Sequence, residues 1–134
     1  MRERTIASHF VRAALRGADR HGLACELILR QAGIQSAVLV EPRARIAPEQ
    51  FSRLMQLLWE ALDDEYLGFG RLPSKRGTFA MMGHAIIHCR SLEKALSRGA
   101  MFYGLFPDAP GIRLQREGDW ARLSVDDSTL WDPD

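Results

Sequence analysis

The stretch IRLQREGDWARLSV, residues 112–125, decides the fold class. Apolar and polar side chains alternate from Ile112 to Arg116 and again from Trp120 to Val125, with Glu117-Gly118-Asp119 between the two runs. A period of two is that of a strand, and two such runs joined by a glycine-containing turn predict an antiparallel β-hairpin with one wet face. An isolated hairpin is marginal in water, so this one is expected to belong to a larger, truncated sheet or to be completed by another chain.

Upstream of the hairpin the periodicity is helical. Ile6 to Arg20 places Ile6, Ala7, Phe10, Val11 and Ala14 on one side and Arg12, Arg16 and Arg20 on the other. Gly22 stands where a left-handed cap is wanted, with Leu23 as the hydrophobic residue that packs back. A shorter helix is predicted over Ala24 to Ala32, stopped by Gly33. Ser36 to Arg45 is a connector in which Val38-Leu39-Val40 fits either a short strand or a last helical turn before Glu41-Pro42. Pro48 suits the first position of a helix, Glu49 favours the same end, and Phe51, Leu54, Met55, Leu58 and Leu62 recur at helical spacing. Tyr66 to Gly77 reads as an exposed loop. Thr78 to Cys89 is almost continuously apolar and predicts a largely buried helix. Ser91 is the expected N-cap of the next helix, with Leu92, Leu96, Gly99, Tyr103 and Phe106 as its stripe and Pro107 and Pro110 as its end. The fold class is therefore α+β, with a helical N-terminal part of about five helices followed by the hairpin.

With 134 residues and 46% hydrophobic content, one domain spanning residues 1–134 is expected. Eighteen basic residues against seventeen acidic ones leave a formal charge of +1, too little to draw the chain to nucleic acid or an anionic membrane. Cys25 and Cys89 form no C-x-x-C pair, and no leader or membrane-length apolar run is present, which points to a reduced, cytoplasmic chain.

Three groups of residues resemble a known family. The first is Val11 to Gly33, with Arg20-His21-Gly22-Leu23 and Gln31-Ala32-Gly33-Ile34. The second is Arg45-Ile46-Ala47-Pro48-Glu49-Gln50-Phe51, leading through Leu54, Leu58 and Leu62 to Leu67-Gly68-Phe69-Gly70. The third is Gly77-Thr78-Phe79-Ala80-Met81-Met82-Gly83-His84-Ala85, then Ser91-Leu92-Glu93-Lys94-Ala95-Leu96, Tyr103 and the hairpin. Together they resemble the N-terminal arabinose-binding-type domain of one branch of AraC-type transcription regulators. The resemblance implies a bacterial regulator whose N-terminal domain binds a small-molecule effector or self-associates as a homodimer. DNA would then be contacted only through a C-terminal pair of helix-turn-helix units, and no segment here has the spacing of such a unit. The arabinose label says little about the ligand of an individual member.

The chemistry-bearing residues point to binding and not to catalysis. His84 and His88 are four apart on the predicted helix, a spacing that puts two imidazoles on one face, and Cys89 follows. H-A-I-I-H lacks the glutamate of the zinc protease pattern, so structural or pocket-lining histidines are the expectation, no metal or other cofactor is assigned, and a metal sensor or enzyme is the alternative. Relatives commonly carry an aromatic residue where this chain has His84, and a polar group in an apolar helix needs a partner that an effector can supply. If a cavity lies between the Phe79 helix and the Ser91 helix, Tyr103 and the imidazoles are its polar groups, Phe79 and Met82 its apolar wall, and Trp59 a further aromatic wall. Met82 and Phe79 fit a core equally well. Asp63-Asp64-Glu65 follows a helix end and is expected to solubilise a loop. The phosphate-cradle and nucleophile-elbow patterns do not occur. A ligand-free dimerisation module, pairing through the hairpin edge or an apolar helix face, is the competing expectation.

Overall fold

The computed structural model describes residues 4–128 and contains five α-helices, a 3₁₀ turn and two antiparallel strand pairs. The α+β expectation is met. The chain divides into two compact units, residues 1–68 and residues 69–134.

In the first unit the N-terminal helix starts later than its periodicity predicts. Ile6–Ala7 is a short strand (β1) paired antiparallel with Arg45–Ile46 (β2), Ile6 opposite Ile46. Pairing wins because it continues into Ser8, whose N–H donates to Ala44 O (2.9 Å) and whose fully buried hydroxyl donates to Glu41 O (3.1 Å). The Arg45 guanidinium adds bonds to the Thr5 hydroxyl and carbonyl. Helix α1 (Ser8–Arg20) then buries Val11, Ala14, Leu15 and Ala18 against α2 (Cys25–Gln31) and α3 (Pro48–Leu62).

Both glycine stops close their helices in the same way. At the end of α1, Gly22 N–H donates to Asp19 O (2.9 Å) and Leu23 N–H to Ala18 O (3.0 Å); after α2, Gly33 N–H donates to Arg30 O (3.1 Å) and Ile34 N–H to Leu29 O (2.9 Å). These are Schellman closures, with both glycines at φ +72°. Ile34 is thereby delivered into the core. The connector holds a 3₁₀ helix over Ser36–Leu39, the helical one of its two readings. Pro48 is the first residue of α3, and the Gln50 side chain reaches back to accept from Ala47 N–H (2.9 Å), half of a capping box. Leu54 and Leu58 of α3 are fully buried.

The loop after α3 corrects an expectation. Asp64 does not solubilise it but is buried, with Oδ1 accepting from Tyr66 N–H (2.9 Å) and Oδ2 from Gly68 N–H (2.8 Å). A carboxylate can leave water when backbone donors replace it, and these donors fold the loop round the acid.

In the second unit, α4 is Thr78–Ile86 and α5 is Leu92–Tyr103. Ser91 caps α5 as expected, its hydroxyl accepting from Lys94 N–H (3.2 Å). The helix ends at Tyr103 and Gly104, ahead of the prolines. Strands β3 (Gly111–Glu117) and β4 (Trp120–Asp126) pair with Leu114 opposite Leu123 and Glu117 opposite Trp120. The turn is therefore only Gly118-Asp119, with Gly118 at φ +62° as the first position of a type II′ turn requires. Among the described residues this sheet has two strands.

The expectation of a largely buried helix from Thr78 to Cys89 fails. Met82 is the buried residue of α4, while Phe79 and Ile87 are 64% and 70% exposed. The cause is the packing order within the unit: among its described elements α4 packs against α5, and α5 in turn against β3. A nine-residue helix packed in this way buries one stripe. That stripe is tight, because a Cβ on Gly99 would lie 3.5 Å from Met82 Sδ, and Arg98 Nη1 ties the helices by donating to Ala85 O (3.1 Å).

Candidate functional site

A groove of about 460 Å³ lies in the second unit between the start of α5 and the turn end of the hairpin. The strand register builds it. Ile112, Leu114 and Arg116 of β3 share a face with Val125, Leu123 and Ala121 of β4, and Ile112 and Leu114 are the half-buried residues of β3. Leu92 and Leu96 of α5 face Leu114 and Ala121 across the groove, with Glu93 and Ser97 beside them. Arg116, Asp119 and Trp120 stand at the turn end, and Arg116 Nε donates to Gly118 O (3.3 Å).

The lining mixes apolar side chains with two carboxylates, one guanidinium, an amide and an indole. Volume and composition fall within the range of small-molecule sites. Ser97 lines the groove together with the Glu93 and Asp119 carboxylates and the Arg116 guanidinium. Trp120 is 82% exposed.

A second hollow, about 380 Å³, lies wholly in the first unit beside α1. Its walls include His9, Arg12, Arg16 and Asp19, and its floor includes Leu15, Cys25 and Leu39. Burial, and after it the nearby Asp19 charge, raises the Cys25 thiol above its ordinary value.

None of the six sequence-predicted site residues lines either hollow. His84 is exposed on α4. His88 is exposed and lies beyond the end of α4 at Ile86, so the two imidazoles do not share a helical face as their spacing predicts. The continuous apolar run hides this end: the backbone turns instead, Cys89 N–H donating to Ile86 O (2.9 Å). Among the described residues no three His, Cys, Asp or Glu side chains are placed to share a metal ion. Met82 is buried between α4 and α5, Phe79 is exposed, and Tyr103 is half-buried with its ring edge-on to Phe102 (5.6 Å between centroids). Trp59 belongs to the first unit, on α3; its indole N–H is buried and has no acceptor among the described residues.

The groove residues that sequence reasoning passed over are Glu93, Asp119 and Trp120. One signal was available. Trp120 occupies the polar phase of its strand's alternation, paired with Glu117, and a large aromatic there has no core to enter.

Residues 22–134 match the family described as the arabinose-binding domain of AraC transcription regulators, N-terminal. The chain belongs to this family, and it is a regulatory N-terminal domain of that class. Comparison with curated proteins and with solved structures gives no match. Among the described residues no helix is long and apolar enough to cross a membrane.

Proposed function

We propose that this chain is the sensor of a cytoplasmic regulator, that it acts as one regulatory domain, and that it binds its effector in the groove between α5 and the hairpin. The observation that carries this is the groove itself, with Leu92, Leu96 and Leu114 as apolar walls and Glu93, Arg116 and Asp119 as orienting charges. Effector binding regulates only if it favours one of two arrangements of the domain, so DNA binding is altered through a linked C-terminal domain and not by this chain directly.

A thermal-shift screen against sugars, amino acids and short carboxylic acids tests the reading. A ligand at a hundred times its Kd stabilises by about 2.7 kcal/mol, which moves Tm by several degrees. Trp120→Ala and Glu93→Gln are expected to abolish the shift. His84→Ala and Tyr103→Phe, at positions chosen from sequence, test the rival pocket between α4 and α5. Loss of the shift in those two variants alone would move the effector out of the groove.

Self-association is the second reading, and a specific observation favours it. Leu123 and Val125 leave one face of β4 apolar and exposed, with Met101 and Leu105 exposed on and just beyond α5. Exposed strands and apolar faces of this kind pair with a second copy. Light scattering gives the mass, and Leu105→Lys, outside the groove lining, is expected to shift a homodimer to monomer while leaving the effector response in place.

A further inference from the structure

We propose that the hollow beside α1 is a second binding site, independent of the groove, for a small monoanionic amphiphile: a carboxylate carrying an apolar tail.

The argument begins with Arg12. Its Nη1 donates to the Ser8 hydroxyl (3.0 Å) and to Leu39 O (3.3 Å), and Ser8 is itself fully buried and tied to Glu41 O. The guanidinium is thus fixed before any ligand arrives, which lowers the entropy cost of binding. Both Nη1 hydrogens are consumed by these bonds. The Nε–Nη2 edge makes no bond among the described residues, and that edge is the fork that grips a carboxylate with two parallel hydrogen bonds.

Arg16 stands four residues on, lines the same hollow, and has no hydrogen bond or ion pair among the described residues. Two arginines at this spacing repel one another unless an anion lies between them. Asp19 is also in the lining and pairs with neither. Two positive charges, of which the Arg12 guanidinium is held in place, against one negative leave room for a single negative charge, so a carboxylate fits better than a polyphosphate. Leu15, Leu39, Ala13 and the Cys25 thiol supply an apolar floor, and burial raises that thiol as expected beside apolar neighbours. The family match starts at residue 22, after α1 has ended, so it assigns nothing to these arginines.

The test is an NMR titration of the ¹⁵N-labelled full chain with sodium octanoate, following backbone amides and arginine Nε–H signals. Octan-1-ol, sodium acetate and sodium phosphate are titrated in parallel. Saturable shifts along α1 and at the Arg12 Nε–H are expected for octanoate, with each of the other three at least about tenfold weaker. Arg16→Gln removes a partnerless side chain and is expected to weaken octanoate about tenfold without altering the remaining spectrum, the scale of a charged hydrogen bond. Arg12→Lys keeps the charge but loses the fork, and is expected to weaken it similarly. Phosphate equal to octanoate would reduce the site to an anion patch and overturn the proposal, as would octanol equal to octanoate. Unchanged affinity in Arg16→Gln, or octanoate shifts confined to α5 and the hairpin, would also overturn it. The last result would leave the groove standing, so the two sites fail separately.

Discussion

Gly17→Ala separates helix propensity from packing in the first unit. In an open helix the substitution is stabilising by about 1 kcal/mol, because alanine loses less backbone entropy. Gly17 is not in an open position. A Cβ there would lie 1.6 Å from Leu67 O, 2.8 Å from Leu67 C and 3.3 Å from Gly68 Cα, all backbone atoms that no rotamer change can move aside. The loop would have to retreat by roughly 1.5–2 Å to reach van der Waals distance. It is held where it is by the Asp64 carboxylate on Tyr66 N–H and Gly68 N–H, and α1 braces the same point through His21 Nδ1–H, which donates to Gly17 O (2.8 Å). Losing one charge-assisted bond costs about 1.5–3 kcal/mol and overpacking a further 1–3. Set against the propensity gain, the net loss is about 3 kcal/mol, a large part of the 5–15 kcal/mol that holds a domain together. Urea denaturation followed by far-ultraviolet circular dichroism would show the midpoint falling by about 1.5 M for a slope near 2 kcal/mol/M. Gly83→Ala, in α4 with nothing within 4 Å of its added Cβ, is the control and should hold or raise stability by up to about 1 kcal/mol. A Gly17→Ala chain as stable as the parent would refute the contact between α1 and the loop.

Three further outcomes follow from the same geometry. Asp64→Ala leaves two backbone donors without their acceptor and should cost about 3 kcal/mol in urea unfolding, whereas Asp64→Asn, which keeps one carbonyl oxygen, should lose less. Ser91→Ala removes the α5 cap and should weaken that helix by about 1 kcal/mol, seen as faster hydrogen exchange at Lys94 N–H; unchanged exchange would deny the cap. The raised Cys25 thiol stabilises the fold fully below the unfolded value near 9.0, and that contribution is lost as pH rises through the higher folded value. The parent should therefore lose urea resistance as pH rises above about 9 more steeply than Cys25→Ala; equal slopes would show that burial does not disfavour the thiolate.

The helical stops and starts were legible because each is set by a few adjacent residues. Gly22-Leu23 and Gly33-Ile34 close their helices through backbone bonds spanning five residues, Pro48 opens α3 through its own fixed φ, and Ser91 caps α5 through its own hydroxyl. The misreadings arise where a partner far along the chain decides the outcome. Ile6 and Ala7 carry helical periodicity yet join a strand, because Arg45 and Ile46 are there to pair with them. Asp64 looks like a solubilising acid until the loop wraps two N–H groups round it.

The candidate site was the least legible part, for a related reason. His84, His88 and Tyr103 were chosen because polar groups within an apolar run suggest a lined cavity, and that inference assumes the run is covered on all sides. Within its unit α4 packs against α5 and leaves His84 exposed, so the apolar run is not a measure of burial. Hollows form instead where two elements diverge: α5 from the hairpin turn in one unit, and α1 from the 3₁₀ connector in the other. Residues at such divergences come from separate segments, as Glu93 and Trp120 do, or Arg12 and Leu39, so no local spacing announces them. What sequence does carry is the misfit residue at the edge: an aromatic in the polar phase of a strand, or two arginines at i and i+4 that outnumber the one acid at helical spacing, Asp19.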